Sequence, residues 1–344
     1  MQIEPEAPDS PVREQAAHGA AFGLRLEVDP SIDIPGIAQL DANGARDPDA
    51  PAPGHPASPC DSRPSTRVRL DPRELSRRWS VAAHAAGRVR ELRDGDAVLL
   101  TVYFAPPAGY LLHAPGFARI LIALDGTEVI CDPEDGSSEW TALLTAQALP
   151  LAATLRGFEV LHASGVVLRG RAALFTGPPG AGKSSLAAAL LRHGATLLSD
   201  DTVALEQCGP ELLAHPGAAL LQLRAAEHDR LSTRERTALG PATSFLGKQR
   251  YSPSLNASPA PFGELFLLER SADGPLVERI DAVDPFALLA STFNLSVRTP
   301  ERLVRHLDLA VALAATERIY RLRVQPDVNA TQLADNLIEH TLEL

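Results

Sequence analysis

The sequence predicts an α/β protein, and three observations carry that expectation. From about residue 155 onward, apolar strand-like runs alternate with helical stretches, the texture of a layered α/β domain. Between one such strand and one such helix stands Gly177-Pro-Pro-Gly-Ala-Gly182-Lys183-Ser184, a complete GxxxxGK[ST] loop in its required context. The composition, 45% hydrophobic and 22% charged over 344 residues, is that of a globular chain with one large domain or two ordinary ones.

Taken in order, residues 1–66 hold 11 of the 29 prolines and 11 acidic against 4 basic residues, which predicts a largely flexible acidic segment. Within it, 22–28 alternates apolar and polar residues and reads as a strand, while 41–64 reads as linker. A small β-rich domain is expected over 67–154, with strands at 97–104, 110–113, 118–124 and 128–131. Asp125-Gly126 supplies a hairpin signal there, and a helix over 138–154 places Leu143, Leu144, Ala148 and Leu151 at its apolar positions.

The P-loop domain is expected over 155–344, opening with strands at 160–168 and 172–176. A helix from Lys183 to about His193 follows, stopped by Gly194, then a strand at 195–199. Further on come a strand at 264–268, a helix opened by Asp284-Pro285, and a helix after Pro300 with Leu303, Leu307, Val311 and Ala314 on one face. A strand at 319–324 and a final helix, with Asn329 and Gln332 as its capping pair, complete the expectation.

The loop explains its own residue types. Glycines let backbone N–H groups converge on phosphates, and the following helix adds partial positive charge at its N-terminus. Gly177, Gly180, Ala181, Gly182, Lys183, Ser184 and Ser185 are therefore the expected nucleotide-binding residues, with Lys183 on the β- and γ-phosphates and Ser184 on Mg²⁺. ATP and Mg²⁺ are the expected cofactors. The strand at 195–199 ends in Asp200-Asp201, two carboxylates beside the loop in any doubly wound arrangement. One can hold Mg²⁺ and the other can accept a proton from an attacking hydroxyl, and spacing alone does not assign the two roles.

Lysine occurs only at 183 and 248, against 30 arginines. A surviving lysine therefore marks a place where a planar guanidinium will not serve. The formal charge of −11 argues against a nucleic-acid partner. No stretch nears the roughly 18 apolar residues of a membrane span, and the acidic start is unlike a secretory signal. Cys60, Cys131 and Cys208 form no CxxC pair, so neither a disulfide framework nor a structural metal is expected, and a reducing cytoplasm fits.

His162 lies 21 residues before Lys183, and Asp200 and Asp201 lie 17 and 18 after it. That three-part spacing, within Leu161-His162-Ala-Ser-Gly-Val and Leu197-Leu198-Ser199-Asp200-Asp201, resembles the catalytic domain of HPr serine kinase/phosphorylase. The resemblance spans about residues 155–325 and is to the divergent HPr-kinase-related proteins. It implies a P-loop core similar to phosphoenolpyruvate carboxykinase with a mixed sheet, Asp200 and Asp201 sharing the base and metal roles, and phosphorylation of a serine on a small protein or peptide. The chain departs from the HPr-acting enzymes over Glu211 to Arg224, where their Gly-Arg-Gly-Ile-Glu-like segment is missing, so HPr itself and the reverse phosphorylase reaction are not implied. Related kinases act on precursors of ribosomally made modified peptides, and the HPr kinases are hexamers, which implies a homo-oligomer by analogy alone.

Other candidates follow from position. His162, which alone would read as a core histidine, stands within reach of a γ-phosphate if the spacing holds. In the loop-like Gly247-Lys-Gln-Arg250-Tyr251, Lys248 or Arg250 is expected as a clamp closing on the phosphates. Arg224 could contact phosphate or acceptor, or simply solubilise a strand end, and His193, His215 and His228 receive no role. Two other functions stay open at this point: a kinase for a small hydroxyl compound, which needs an enclosed acceptor pocket, and a nucleotide sensor without catalysis.

Overall fold

The structure is a computed structural model that describes residues 16–40 and 64–342, apart from Asp135, Ser137, Leu246, Ala272, Gly274, Pro275, Ala282, Ala290, Pro326 and Asp327. Its first part comprises β1 (Ala17–Ala21), β2 (Leu24–Val28), β3 (Ala38–Leu40), β4 (Ser65–Leu70) and helix α1 (Pro72–Ala82). A meander follows through β5 (Gly87–Asp94), β6 (Ala97–Ala105), β7 (Gly109–Ala114), β8 (Ala118–Ile122) and β9 (Glu128–Pro133). Together they make one sheet in the order β3-β1-β2-β4-β9-β8-β7-β6-β5.

Alternation sets which face is buried. Leu24, Leu26 and Val28 of β2 point inward with Val68, Ile120, Ile122 and Val129. On the opposite face α1, capped by the Asp71 carboxylate on the Glu74 N–H, packs Leu75 against Leu121 and Ile130. The strand expected at 22–28 begins at Leu24, because Phe22 and Gly23 both have positive φ (54° and 82°) and turn the chain from β1 into β2. Within the segment expected to be largely flexible, Ala17–Ala21, Leu24–Val28 and Ala38–Leu40 are strands of this sheet, while 41–63 of the expected linker lie outside the described residues.

The helix expected at 138–154 is found as α2 (Thr141–Leu143), a π-helical turn (Leu144–Ala148) and α3 (Leu149–Leu155). Pro150 has no N–H to give, so the regular ladder is interrupted there. Leu144, Ala148, Leu149 and Leu151 cover the inner face of the first sheet.

The second part runs β10 (Glu159–Leu161), β11 (Ala163–Leu168), β12 (Arg171–Thr176), α4 (Lys183–Leu191), β13 (Thr196–Ser199), β14 (Val203–Cys208) and β15 (Glu211–His215). An excursion follows through β16 (Leu221–Arg224), α5 (Ala225–Asp229), α6 (Thr233–Ala238), β17 (Ala242–Phe245) and β18 (Lys248–Tyr251). The chain closes with β19 (Ala260–Arg270), β20 (Val277–Arg279), α7 (Pro285–Leu289), α8 (Pro300–Ala315), β21 (Ile319–Val324) and α9 (Ala330–Leu342). The main path is β10-β14-β15-β19-β12-β11-β13, with β21 on β19 and β20 on β21. It is a mixed sheet: β12, β19 and β21 are parallel, and β11 is antiparallel to both β12 and β13. Strands β16-β18-β17 form a small separate sheet.

Both faces of this sheet are covered, which is why its central strands read as unbroken apolar runs. Phe175, Phe266 and Leu197 meet Leu186 of α4 and Leu333 of α9 on one side, and Leu174, Leu198 and Leu265 meet Leu309 and Leu313 of α8 on the other. Helix α8 is rotated from expectation: Leu303, Leu307 and Val311 are exposed, and Arg302, His306, Leu309, Ala310 and Leu313 face inward. A buried carboxylate decides the rotation, since Glu159 takes Arg302 at 3.1 Å and Arg305 at 3.1 Å. Cys208 is disulfide-bonded, correcting the expectation that no cysteine pairs, whereas Cys131 is a buried free thiol whose ionisation burial pushes far up.

The first part also braces the second. The Phe22 N–H donates to Pro216 O at 2.6 Å and the Ala219 N–H to Gly36 O at 2.6 Å, fixing the chain that leads into β16.

Candidate phosphate-binding site

β12 delivers the chain to the glycine loop, where two glycines are needed for different reasons. Gly177 has φ 148°, and a Cβ there would stand 2.5 Å from Leu268 O of the neighbouring strand. Gly182, in the left-handed region at φ 103°, is the N-cap of α4 and has open space around it. The loop therefore ends with the unpaired N–H groups of a helix start, a ready anion site.

Lys183 is buried, and its ammonium folds back to donate to Gly177 O at 2.9 Å and Pro178 O at 3.4 Å. Burial lowers its pKa, while Asp201 and Asp200 act the other way. Two residues beyond the loop glycine, Ser184 donates to Asp200 Oδ1 at 2.8 Å. Asp200 accepts also from the Ser164 hydroxyl of β11 and, through Oδ2, from the Gln222 N–H of β16 at 3.0 Å. Burial and then the neighbouring Asp201 charge raise the Asp200 pKa, and these three donors oppose the shift.

Asp201 follows with φ 70°, a left-handed residue that turns the chain out of β13. It borders a cleft of about 280 Å³ together with His162, Lys183, Ser184 and Lys248. His162 sits at the bend between β10 and β11, its N–H on Ser291 O at 2.6 Å. Its ring lies 6.3 Å from Phe293 at 21°, and the Arg90 guanidinium lies 5.5 Å from that same ring. Burial lowers the His162 pKa, Asp201 opposes, and Lys183 and Arg90 add to the lowering, so the imidazole is neutral near pH 7.

The structure thus brings together most of the residues the sequence singled out. Gly180, Gly182, Lys183, Ser184, Ser185, Asp201, His162 and Lys248 border the cleft, Asp200 lies half-buried behind Ser184, and Gly177 and Ala181 shape the loop without bordering the cleft. Lys248 is not in a loop: it opens β18, exposed and paired in register with Arg224, which also borders the cleft. Arg250 does not border it. Sequence reasoning missed Gln222, whose backbone N–H holds Asp200, and Glu227, which accepts from Ser185 Oγ at 2.7 Å. A backbone donor leaves no trace in residue type, so only Glu227 carried any signal, as an acid three residues after Arg224 at a helix start.

Among the described residues no group of three or more His, Cys, Asp or Glu stands ready to hold a metal. The fit to Mg²⁺ rests elsewhere: this ion keeps waters and phosphate oxygens and needs only one or two protein oxygens, and Ser184 Oγ with Asp200 Oδ1, 2.8 Å apart, is such a pair.

No family model matches the chain, and no curated protein matches it. Among solved structures, the HPr(Ser) kinase/phosphatase from Coxiella burnetii aligns over 54% of this chain and 97% of its own, at 15% identity and a TM-score of 0.29, a remote likeness.

Proposed function

We propose that the protein is a Mg²⁺- and ATP-dependent phosphotransferase that phosphorylates a serine hydroxyl on a small protein or peptide. The observation that carries this reading is the hydrogen bond from Ser184 of the glycine loop to Asp200 at the end of β13, with Asp201 beside it on the open cleft. A loop that only bound phosphate would need neither carboxylate, and the desolvation of Asp200 is a standing expense for the fold.

The two acids divide the work by their surroundings. Ser184 and Asp200 would hold Mg²⁺, which when bound neutralises charge on the transferred phosphoryl group. Asp201, on the cleft, takes the proton of the acceptor hydroxyl as its oxygen bonds to the γ-phosphorus and the bond to the departing diphosphate breaks. Lys183 leaves its carbonyl partners to meet the phosphates, and Lys248, opposite on β18, offsets the negative charge that builds on the departing diphosphate. Neutral His162 offers a hydrogen bond without repelling Lys183.

The test is transfer of γ-labelled phosphate from ATP into a lysate of the source cells by the wild type and by the Asp200→Asn, Asp201→Asn double variant. A phosphoserine-bearing protein or peptide made only by the wild type is the expected result. Label confined to a small metabolite would replace the acceptor class, and equal function of the double variant would make the chain a nucleotide sensor.

A further inference from the structure

The first sheet reaches the phosphate cleft at one point. Arg90 of β5 lays its guanidinium 5.5 Å from the centre of the Phe293 ring, and that ring lies 6.3 Å from His162 on the cleft wall. Taken together, the two separations put the guanidinium within about 12 Å of His162, the span of roughly four residues of extended chain at about 3.3 Å each.

Arg90 is also the one arginine of its strand without an acid. Arg88 and Arg93 both pair with Glu91, each at 2.6 Å. Arg90 is half-buried and donates to the Gln147 carboxamide oxygen at 3.2 Å, and no carboxylate among the described residues pairs with it. A guanidinium withdrawn from water beside a reaction cleft is suited to a carboxylate brought by the substrate.

The strand that carries it is an open edge. β5 stands last in its sheet and, among the described residues, pairs with β6 alone, so one row of its backbone N–H and C=O groups has no strand partner over Gly87–Asp94. The opposite edge, β3, has only three residues. The register of β5 on β6 shifts twice, but the second shift places its extra residue, Leu99, in β6. β5 itself therefore runs unbroken from Arg90 to Asp94, starting at the residue that leans on Phe293. Leu92, on the same face as Arg90, is exposed beside it.

Resting on the phosphotransferase reading, we propose that the acceptor is an extended peptide segment that adds to the first sheet as a strand along Arg90–Asp94, with a carboxylate side chain on Arg90 and its serine about four residues away in the cleft. Backbone pairing then supplies affinity, while Arg90 and Leu92 select the side chains. A free hydroxyl compound would leave both the open edge and the guanidinium unmet, and a serine held in a folded loop could not pair with the strand.

The probe is a set of synthetic peptides of about a dozen residues, each with one serine and one glutamate at varied separation, offered to the full chain with ATP and Mg²⁺. Transfer is expected to be fastest when the glutamate stands about four positions from the serine. For that peptide Arg90→Ala is expected to raise KM about tenfold with little change in kcat, and Arg90→Glu to shift the preference to the lysine-bearing counterpart. Methylating alternate backbone nitrogens of the best peptide, in one register, is expected to remove its advantage with the wild type alone, which decides the matter should a variant fail to fold. Transfer that ignores glutamate position, charge exchange and methylation, or that is confined to folded proteins of the source cells, would overturn the docking strand and leave the phosphotransferase reading standing. No transfer into any peptide or any component of those cells would overturn the phosphotransferase reading itself.

Discussion

In the first sheet most neighbours in space are neighbours in sequence, and its buried polar residues are chiefly threonines, such as Thr66 on Gly126 O and Thr145 on the helix backbone. In the second, the order β15-β19-β12-β11-β13 leaps across the chain, and Ser164, Thr176, Lys183 and Ser199 are buried near the ends of β12 and β13. The contrast follows from connection length. Tight turns return a strand beside its predecessor and leave no opening, whereas crossovers part the loops at the carboxyl ends of the strands and make a crevice that polar side chains can fill.

The sharpest way to break this contrast is to strip charge from the crevice alone. If the chain is the phosphotransferase proposed, Lys183→Ala is expected to lower turnover about a thousandfold while leaving the melting temperature nearly unchanged, because on that reading the ammonium serves the transition state, and it is expensive to bury. Kinetics beside calorimetry would measure both, and a large fall in melting temperature with modest kinetic loss would make the lysine a structural strut.

Next in size is the seam. Glu159 of β10 is buried with Arg302 of α8, and Asn294 reaches back to Pro150 O at 2.9 Å. Glu159→Ala leaves Arg302 buried and unpaired, so a loss of about 3 kcal/mol in urea unfolding is expected, with tripolyphosphate affinity unchanged. Smaller still is a trim within the first sheet. Ile120→Val should lower stability by about 1 kcal/mol and leave turnover per folded molecule alone, and a kinetic effect there would mean the first sheet takes part in the chemistry.

The same contrast governs what could be read beforehand. The meander β6 to β9 and the strand, loop and helix around Gly177 are local patterns, and both were visible as alternation, turn residues and glycine spacing. Helix α1 was not, although Asp71-Pro72 opens it, because Arg73, Arg77 and Arg78 dilute its apolar stripe. The face of α8 was misread because a carboxylate 143 positions before Arg302 turns an arginine inward and three aliphatic residues out, and nothing in local periodicity records that pairing. The site was legible where its residues carry charge at fixed spacing. It was illegible at Gln222, which acts through its backbone, and at Glu227, whose partner Ser185 lies 42 residues away.

The effect that is smallest at neutral pH concerns acid. His306 of α8 is buried beside Arg302 and Arg305, with Nε2 and the Thr292 hydroxyl sharing a hydrogen bond. Burial first, and then the two guanidinium charges, bring its pKa down from 6.5 to about 4. The folded state therefore binds a proton on this ring less readily than the unfolded chain does, so its contribution is whole above pH 6.5 and is lost as the pH falls toward 4. Buried Glu159 acts with the opposite sign, because burial raises its pKa. The difference between wild type and His306→Gln isolates the ring: the variant's stability should fall less steeply between those limits, by up to one proton in the slope. Parallel slopes would mean that the ring takes up its proton in the folded state as readily as in the unfolded chain, and that the buried face of α8 tolerates a third positive charge at the seam.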